Sequence, residues 1–271
     1  MTVSFKAPWA PTHPTAAAAL ADITRGRNIK VFGFGECHRD PLRSVLTVPV
    51  AFHHFAHQLF PYLVEQKGVR VFGLEHLSDS WNDIVSSWFA PKDPDPSVWI
   101  NIQGDLERWD EPNRNAIKIF LQKGRGLHQR FPLLVNGVNT DPFIVGLAYS
   151  MNARGNDFFM TEIVREINSN VATLYSLTMQ QGAGLALFNG ASHITTEPDP
   201  KDDASYVPML RKSGLSLTDF LSVRLIVPEY CMEEPEPPDS DLEASLHAPT
   251  SGVHVREVGE QSYAITFARS G

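Results

Sequence analysis

Cysteine is nearly missing from this chain of 271 residues: Cys37 and Cys231 are the only two. Two thiols build no disulfide framework, which makes a reducing cytoplasm the expected compartment. Basic charge is also scarce. The 23 Lys and Arg face 31 Asp and Glu, for a net charge of −8. A chain with that balance is poorly equipped to grip phosphate backbones, so no nucleic-acid partner is expected. Apolar runs are short, none near the ~18 to 20 residues of a membrane span. The stretch from Ala7 to Ala21 is broken by Pro8, Pro11 and Pro14 and lacks the basic start and apolar centre of a signal peptide, so no membrane partner is expected either. There is no internal repeat and no His-Glu-x-x-His metal motif. A Gly-x-Ser-x-Gly nucleophile elbow is missing too, because Gly190-Ala191-Ser192-His193 lacks the closing glycine. Gly33-Phe34-Gly35 is too short for a dinucleotide fingerprint.

What the chain does have is a core. Hydrophobic residues make up 42% and charged residues 20%, which excludes global disorder. Residues 1–28 read as an extended arm with a short helix from Ala16 to Ile23, and 29–271 as a single domain. Ile29 to Glu36 reads as a buried strand, with Val31, Phe32 and Phe34 as its apolar run. Val50 to Gln66 reads as a helix, since Phe52, Phe55, Leu59, Tyr62 and Leu63 recur at helical spacing. Pro61 predicts a kink or break in it, and Gly68 its end. Val69 to Glu75 is a second strand. Strand, helix, glycine and strand in that order make a βαβ unit with parallel strands. Further helices are predicted over Ser78 to Phe89, Asn113 to His128, Phe158 to Gln180 and Tyr206 to Ser213. Further strands are predicted over Phe131 to Asn136, Gly184 to Phe188, Ser222 to Val227 and Ser262 to Phe267. Glu233 to Asp241, with three prolines and five acids, reads as a mobile solvated loop. The alternation predicts an α/β fold with a central, mostly parallel sheet flanked by helices.

Three predicted strands close alike: Gly35-Glu36-Cys37-His38, Gly73-Leu74-Glu75-His76, and Asn189-Gly190-Ala191-Ser192-His193. Parallel sheets bind ligands beyond the carboxyl ends of their strands. Glu36, His38, Glu75 and His193 are therefore expected to converge on one edge. Any one of them alone is an ordinary strand-end polar group; four at equivalent ends point to a site. Two carboxylates with two imidazoles suit divalent-metal binding or acid/base chemistry.

These segments resemble the superfamily that includes erythromycin esterases, the haem-binding ChaN proteins and the Tiki/TraB metalloproteases. Gly35-Glu36-Cys37-His38 is similar to its first hallmark in the shorter, ChaN-like form. The stretch from Tyr62 to Glu75 resembles the helix and Glu-terminated strand that follow. Ala153 to Met160 is similar to its Arg-bearing helix start, and Gly190-Ala191-Ser192-His193 to its late Gly-x-x-His. The resemblance spans roughly 29–228 and implies an EreA/ChaN-like fold. It also implies hydrolysis of an ester or amide of a small molecule or peptide, with Glu36, His38, Glu75 and His193 at the active centre. A divalent metal on Glu36, His38 and His193 is one implied cofactor, and haem is the alternative. In that alternative the protein binds haem or metal without hydrolysis; a third reading is an interaction protein with a degenerate site. The first Glu–His spacing differs from that of the esterases and the chain lacks their large helical insertion, so a macrolide substrate is not expected.

Secondary candidates surround this set. Arg154, His54 and Asp141 are placed as substrate contacts. Arg154 offers a guanidinium to an acidic group. Asp141 lies just past the third strand, where it holds a histidine or water, or simply caps a turn before Pro142. His53 and His57 are four apart on a helix and more in keeping with its flank than with a metal. His76 points away from Glu75 and is a second-choice ligand. Cys37, turned away from Glu36 and His38 by strand alternation, reads as buried and inert.

Overall fold

The computed structural model describes residues 12–36, 48–90, 96–107, 110–140, 158–197, 204–233 and 239–270. The strands are β1 (Val31–Glu36), β2 (Val69–Ser78), β3 (Leu134–Asn139), β4 (Gly184–Gly190), β5 (Phe220–Ile226), β6 (Val253–Gly259) and β7 (Ser262–Phe267). They form one sheet in the order β3-β2-β4-β1-β5-β7-β6. Every neighbouring pair is parallel except the hairpin β6–β7. The mostly parallel α/β architecture is thus as expected, and β6 is an addition the sequence reading did not contain.

Helices cover both faces. Residues 51–66 and Glu111–His128 pack on one face, where Phe32, Phe34, Phe72, Phe188 and Phe120 are buried. Phe158–Gln180 and Val207–Lys212 cover the other, over Val31, Val71, Leu185 and Leu187. The helix Ala16–Ile23 contributes Ala16, Ala19 and Leu20 to the first core. Among the described residues no helix is long and apolar enough to cross a membrane.

Pro61 acts one turn earlier than a simple kink would. Ala51–His54 is α-helical, Phe55–Leu59 forms a π turn, and Phe60–Gln66 is α-helical again. Proline has no N–H for the carbonyl four residues back, His57. The ladder widens instead, with Phe60 N–H donating to Phe55 O. Lys123 Nζ donates to the His57 carbonyl from outside at 3.2 Å. The third strand starts at Leu134, three residues later than predicted, because Pro132 donates nothing to a ladder. The helix predicted from Ser78 starts at Asn82, as β2 runs on to Ser78 and a 3₁₀ turn follows. Asp241 is no part of a solvated loop. It lies in the helix Asp239–Leu246, buried, and accepts from Arg224 Nη2 at 2.6 Å.

Candidate functional site: two carboxylate–imidazole pairs at one sheet edge

Strand parity decides which groups meet. On β1, Phe32, Phe34 and Glu36 point to the Phe52 face, and Val31, Gly33 and Gly35 to the other. On β2, Phe72, Leu74 and His76 share the Phe52 face, while Glu75 points the opposite way. β4 lies between β1 and β2 and pairs Glu36 with Gly190 and Gly35 with Asn189. Gly190 has no side chain, so Glu36 and His76 close over it, His76 Nε2 at 3.1 Å from Glu36 Oε1. The His76 ring stacks on Phe52 at 4.5 Å and 13° and leans on Phe188 at 5.4 Å. Burial opposes its charge. The charge of Glu36, the hydrogen bond to it, the charge of Glu75 and a bond to Asn113 outweigh that and hold the His76 pKa above its ordinary value.

The opposite face carries the second pair. Gly190 ends β4, and the chain turns at once into the 3₁₀ turn Ala191–Ile194. That turn lies directly on Gly35: a Cβ there would stand 2.7 Å from Ala191 Cα and from Ile194 Cδ1. The close approach brings His193 Nε2 to 3.9 Å from Glu75 Oε1. Both groups are held from behind. Gly190 N–H donates to Glu75 Oε2 at 2.7 Å, and His193 Nδ1 lies 2.8 Å from the Ala204 carbonyl. A carbonyl only accepts, so Nδ1 carries a hydrogen and donates it there, and Nε2 is the nitrogen turned to Glu75. Tyr206 stands nearby, wholly buried, its hydroxyl without a partner among the described residues. Burial and the charge of Glu75 push its pKa well up. Asn189, also wholly buried, has an amide without a partner among them.

Glu36, Glu75 and His193 therefore share the expected edge, but not one cluster. Glu36 sits with His76 on one face and Glu75 with His193 on the other. Of the expected metal set Glu36, His38 and His193, the first and last donors face opposite sides of β4, and His38 lies outside the described residues. Among the described residues no group of three or more His, Cys, Asp and Glu could hold a metal ion. His76 and His193 each aim Nε2 at a carboxylate. His54 is stacked on Phe267 at 3.9 Å and 17°, away from both pairs. Burial, followed by the neighbouring His53 and His57, brings its pKa down to about 4. His53 and His57 lie on the helix flank, ring centroids 4.5 Å apart, with Lys123 Nζ 3.0 Å from His57 Nδ1. Cys37, His38, Asp141 and Arg154 lie outside the described residues. His76 is the partner that the sequence reading ranked too low; Tyr206 and Asn189 it did not single out.

No protein-family model and no curated protein matches this sequence. Solved structures that are similar include an erythromycin esterase, EreC, in an open conformation: 8% identity, TM-score 0.45, covering 93% of this chain and 78% of that one. ChaN of Campylobacter jejuni, with cofacially bound haem, is similar at 12% identity and TM-score 0.45, over 93% of this chain and 92% of that one. RRSP, a MARTX toxin effector domain from Vibrio vulnificus, is similar at 15% identity and TM-score 0.45 over 68% of this chain. The chain spans about a third, 31%, of the length of that effector. The first two carry the names of groups that the sequence motifs resemble. At such identities and scores no activity or residue role passes from them to this chain.

Proposed function

We propose that the protein is a hydrolase that cleaves an ester or amide bond of a small molecule or peptide in the cytoplasm, with Glu75 as general base. The observation that carries this is the Glu75–His193 gap of 3.9 Å, with each group fixed from behind. The gap is too wide for a direct hydrogen bond and right for one water bridging both. In this reading that water donates to Glu75 Oε1 and His193 Nε2. As its oxygen bonds to the substrate carbonyl carbon, its proton passes to Glu75. The proton then goes to the leaving oxygen or nitrogen as the acyl bond breaks. Pre-fixed groups of this kind need no reorganisation during the reaction. Glu36, His38, Asp141 and Arg154 remain proposed contributors to the same edge.

The test is liberation of p-nitrophenol or p-nitroaniline from a panel of acyl esters and peptidyl anilides, by the parent chain and by His193→Gln. Hydrolysis that falls at least tenfold in the variant supports the reading. No hydrolysis across the panel, together with an intense Soret shift on titration with hemin, would transfer the chain to the haem-binding reading.

A further inference from the structure

His193 is gripped at two points by the segment from Ala204 to Val207. Its ring Nδ1 donates to the Ala204 carbonyl at 2.8 Å, and its own carbonyl accepts from Tyr206 N–H at 3.1 Å. Ser205 stands between those two partners and is buried. Its hydroxyl donates to the Thr195 carbonyl at 2.7 Å and accepts from Val207 N–H at 3.2 Å, with the His193 carbonyl 3.3 Å away. One hydroxyl thus ties the turn that carries His193 to the start of the helix Val207–Lys212. Pro208, next in that helix, has no N–H that needs an acceptor. Tyr206 anchors the segment on the sheet: a Cβ on Gly33 would stand 3.1 Å from its hydroxyl.

An imidazole has two distinct nitrogens, and the bond made by one decides what the other presents. Here the Ala204 carbonyl holds Nδ1. The direction of that carbonyl is the direction of the peptide joining Ala204 to Ser205, a rigid plane that pivots only about its flanking dihedrals. The Ser205 hydroxyl, bonded on both sides, stops that pivot. We infer that Ser205 is a positioning residue for His193: it holds the Ala204 carbonyl against Nδ1, so that the ring keeps its hydrogen there and Nε2 faces Glu75. Ser205 acts through His193 rather than on a substrate. This deepens the proposed hydrolase and rests on that reading for its part in the reaction. The hydrogen on His193 is read without turnover.

The experiment is long-range proton–nitrogen NMR of the imidazoles in the full chain from pH 6 to pH 9, with His193 assigned by its loss in His193→Gln. The parent should keep its Nδ1–H throughout. In Ser205→Ala the ratio of Nδ1–H to Nε2–H in the singly protonated ring should fall by about 5- to 10-fold, as loss of one hydrogen bond would do. Where Ser205→Ala does not fold, Ser205→Cys, a weaker donor, takes its place with a smaller fall. Leu210→Val loosens the same helix from the core and should leave the ratio unchanged, which separates positioning from stability. On whichever ester or amide the panel identifies, kcat of the Ser205 variant should fall by about 10- to 100-fold with little change in KM. An Nε2–H ring in the parent, a ratio unmoved by the Ser205 variant, an equal fall in Leu210→Val, or a changed ratio with unaltered kcat would each overturn the inference. A panel without hydrolysis, with the ratio behaving as expected, would sink the hydrolase and leave the hold of Ser205 on His193 standing.

Discussion

Glu36 on β1 and His76 on β2 are one strand apart, yet they meet at 3.1 Å because the residue between them on β4 is Gly190. The pair is largely buried, and breaking such a pair by removing one partner leaves a charge without compensation. His76→Phe keeps the stack on Phe52 and should cost about 3 kcal/mol. The pH dependence has a definite sign. The folded pKa of His76 is raised, so its contribution is complete below about pH 6.5 and fades as pH rises through the folded value. The gap between parent and variant in chemical denaturation should narrow from pH 6 to pH 9. A gap that widens would refute the ion-pair assignment.

His54 acts in the opposite direction. The unfolded chain binds its proton near pH 6.5, while the folded chain refuses it until about 4. That difference is worth roughly 3 kcal/mol, lost as pH falls across the window. His54→Phe preserves the stacked ring on Phe267 and should flatten the melting temperature between pH 7 and pH 4.5. An acid-sensitivity equal to the parent's would place the titrating group elsewhere.

Gly35 is the contact on which the second pair depends. The nearest atom a Cβ would meet includes backbone, Ala191 Cα at 2.7 Å, so the turn carrying His193 must move. Gly35→Ala should cost about 1 to 3 kcal/mol and should lower hydrolysis by more than the loss of folded protein accounts for. Activity per folded molecule, read beside a thermal melt, checks this.

Tyr206 offers a control on the other side of the argument. Its hydroxyl is enclosed without a partner among the described residues, so Tyr206→Phe removes an uncompensated polar group. Urea unfolding should show stability unchanged or higher by about 1 kcal/mol. A loss of 2 kcal/mol or more would reveal a hydrogen bond that the static arrangement does not show.

The sheet was legible in the sequence because its strands are apolar runs closed by glycines, and its helices carry clear 3.6-residue stripes. Parity was not. β1 and β2 are buried on both faces, so Phe32, Phe34, Phe72 and Leu74 give no alternation to show which way Glu36 or Glu75 points. Grouping both carboxylates in one cluster followed from that, and so did the low rank of His76. The partnership depends on Gly190 lying between β1 and β2, which is a matter of strand order. Glu75 and His193 were found because a glycine, Gly73 or Gly190, stands two or three residues before each near the carboxyl end of its strand, and that signal is local in sequence. The π turn ahead of Pro61 was foreseen as a disturbance but not as a widened ladder, because the compensating donor, Lys123, is remote in sequence.

The central claim is that Glu75, held by Gly190 and facing His193, is the general base. Its most direct test is kcat/KM of Glu75→Gln against the parent on whichever ester or amide the panel identifies, with a melt of both proteins. The amide keeps the shape and can still accept from the Gly190 N–H, so folding should be preserved. The account predicts a fall of about 10² to 10⁴ with little change in melting temperature. Near-normal turnover by a well-folded Glu75→Gln chain would contradict it and move the base to Glu36.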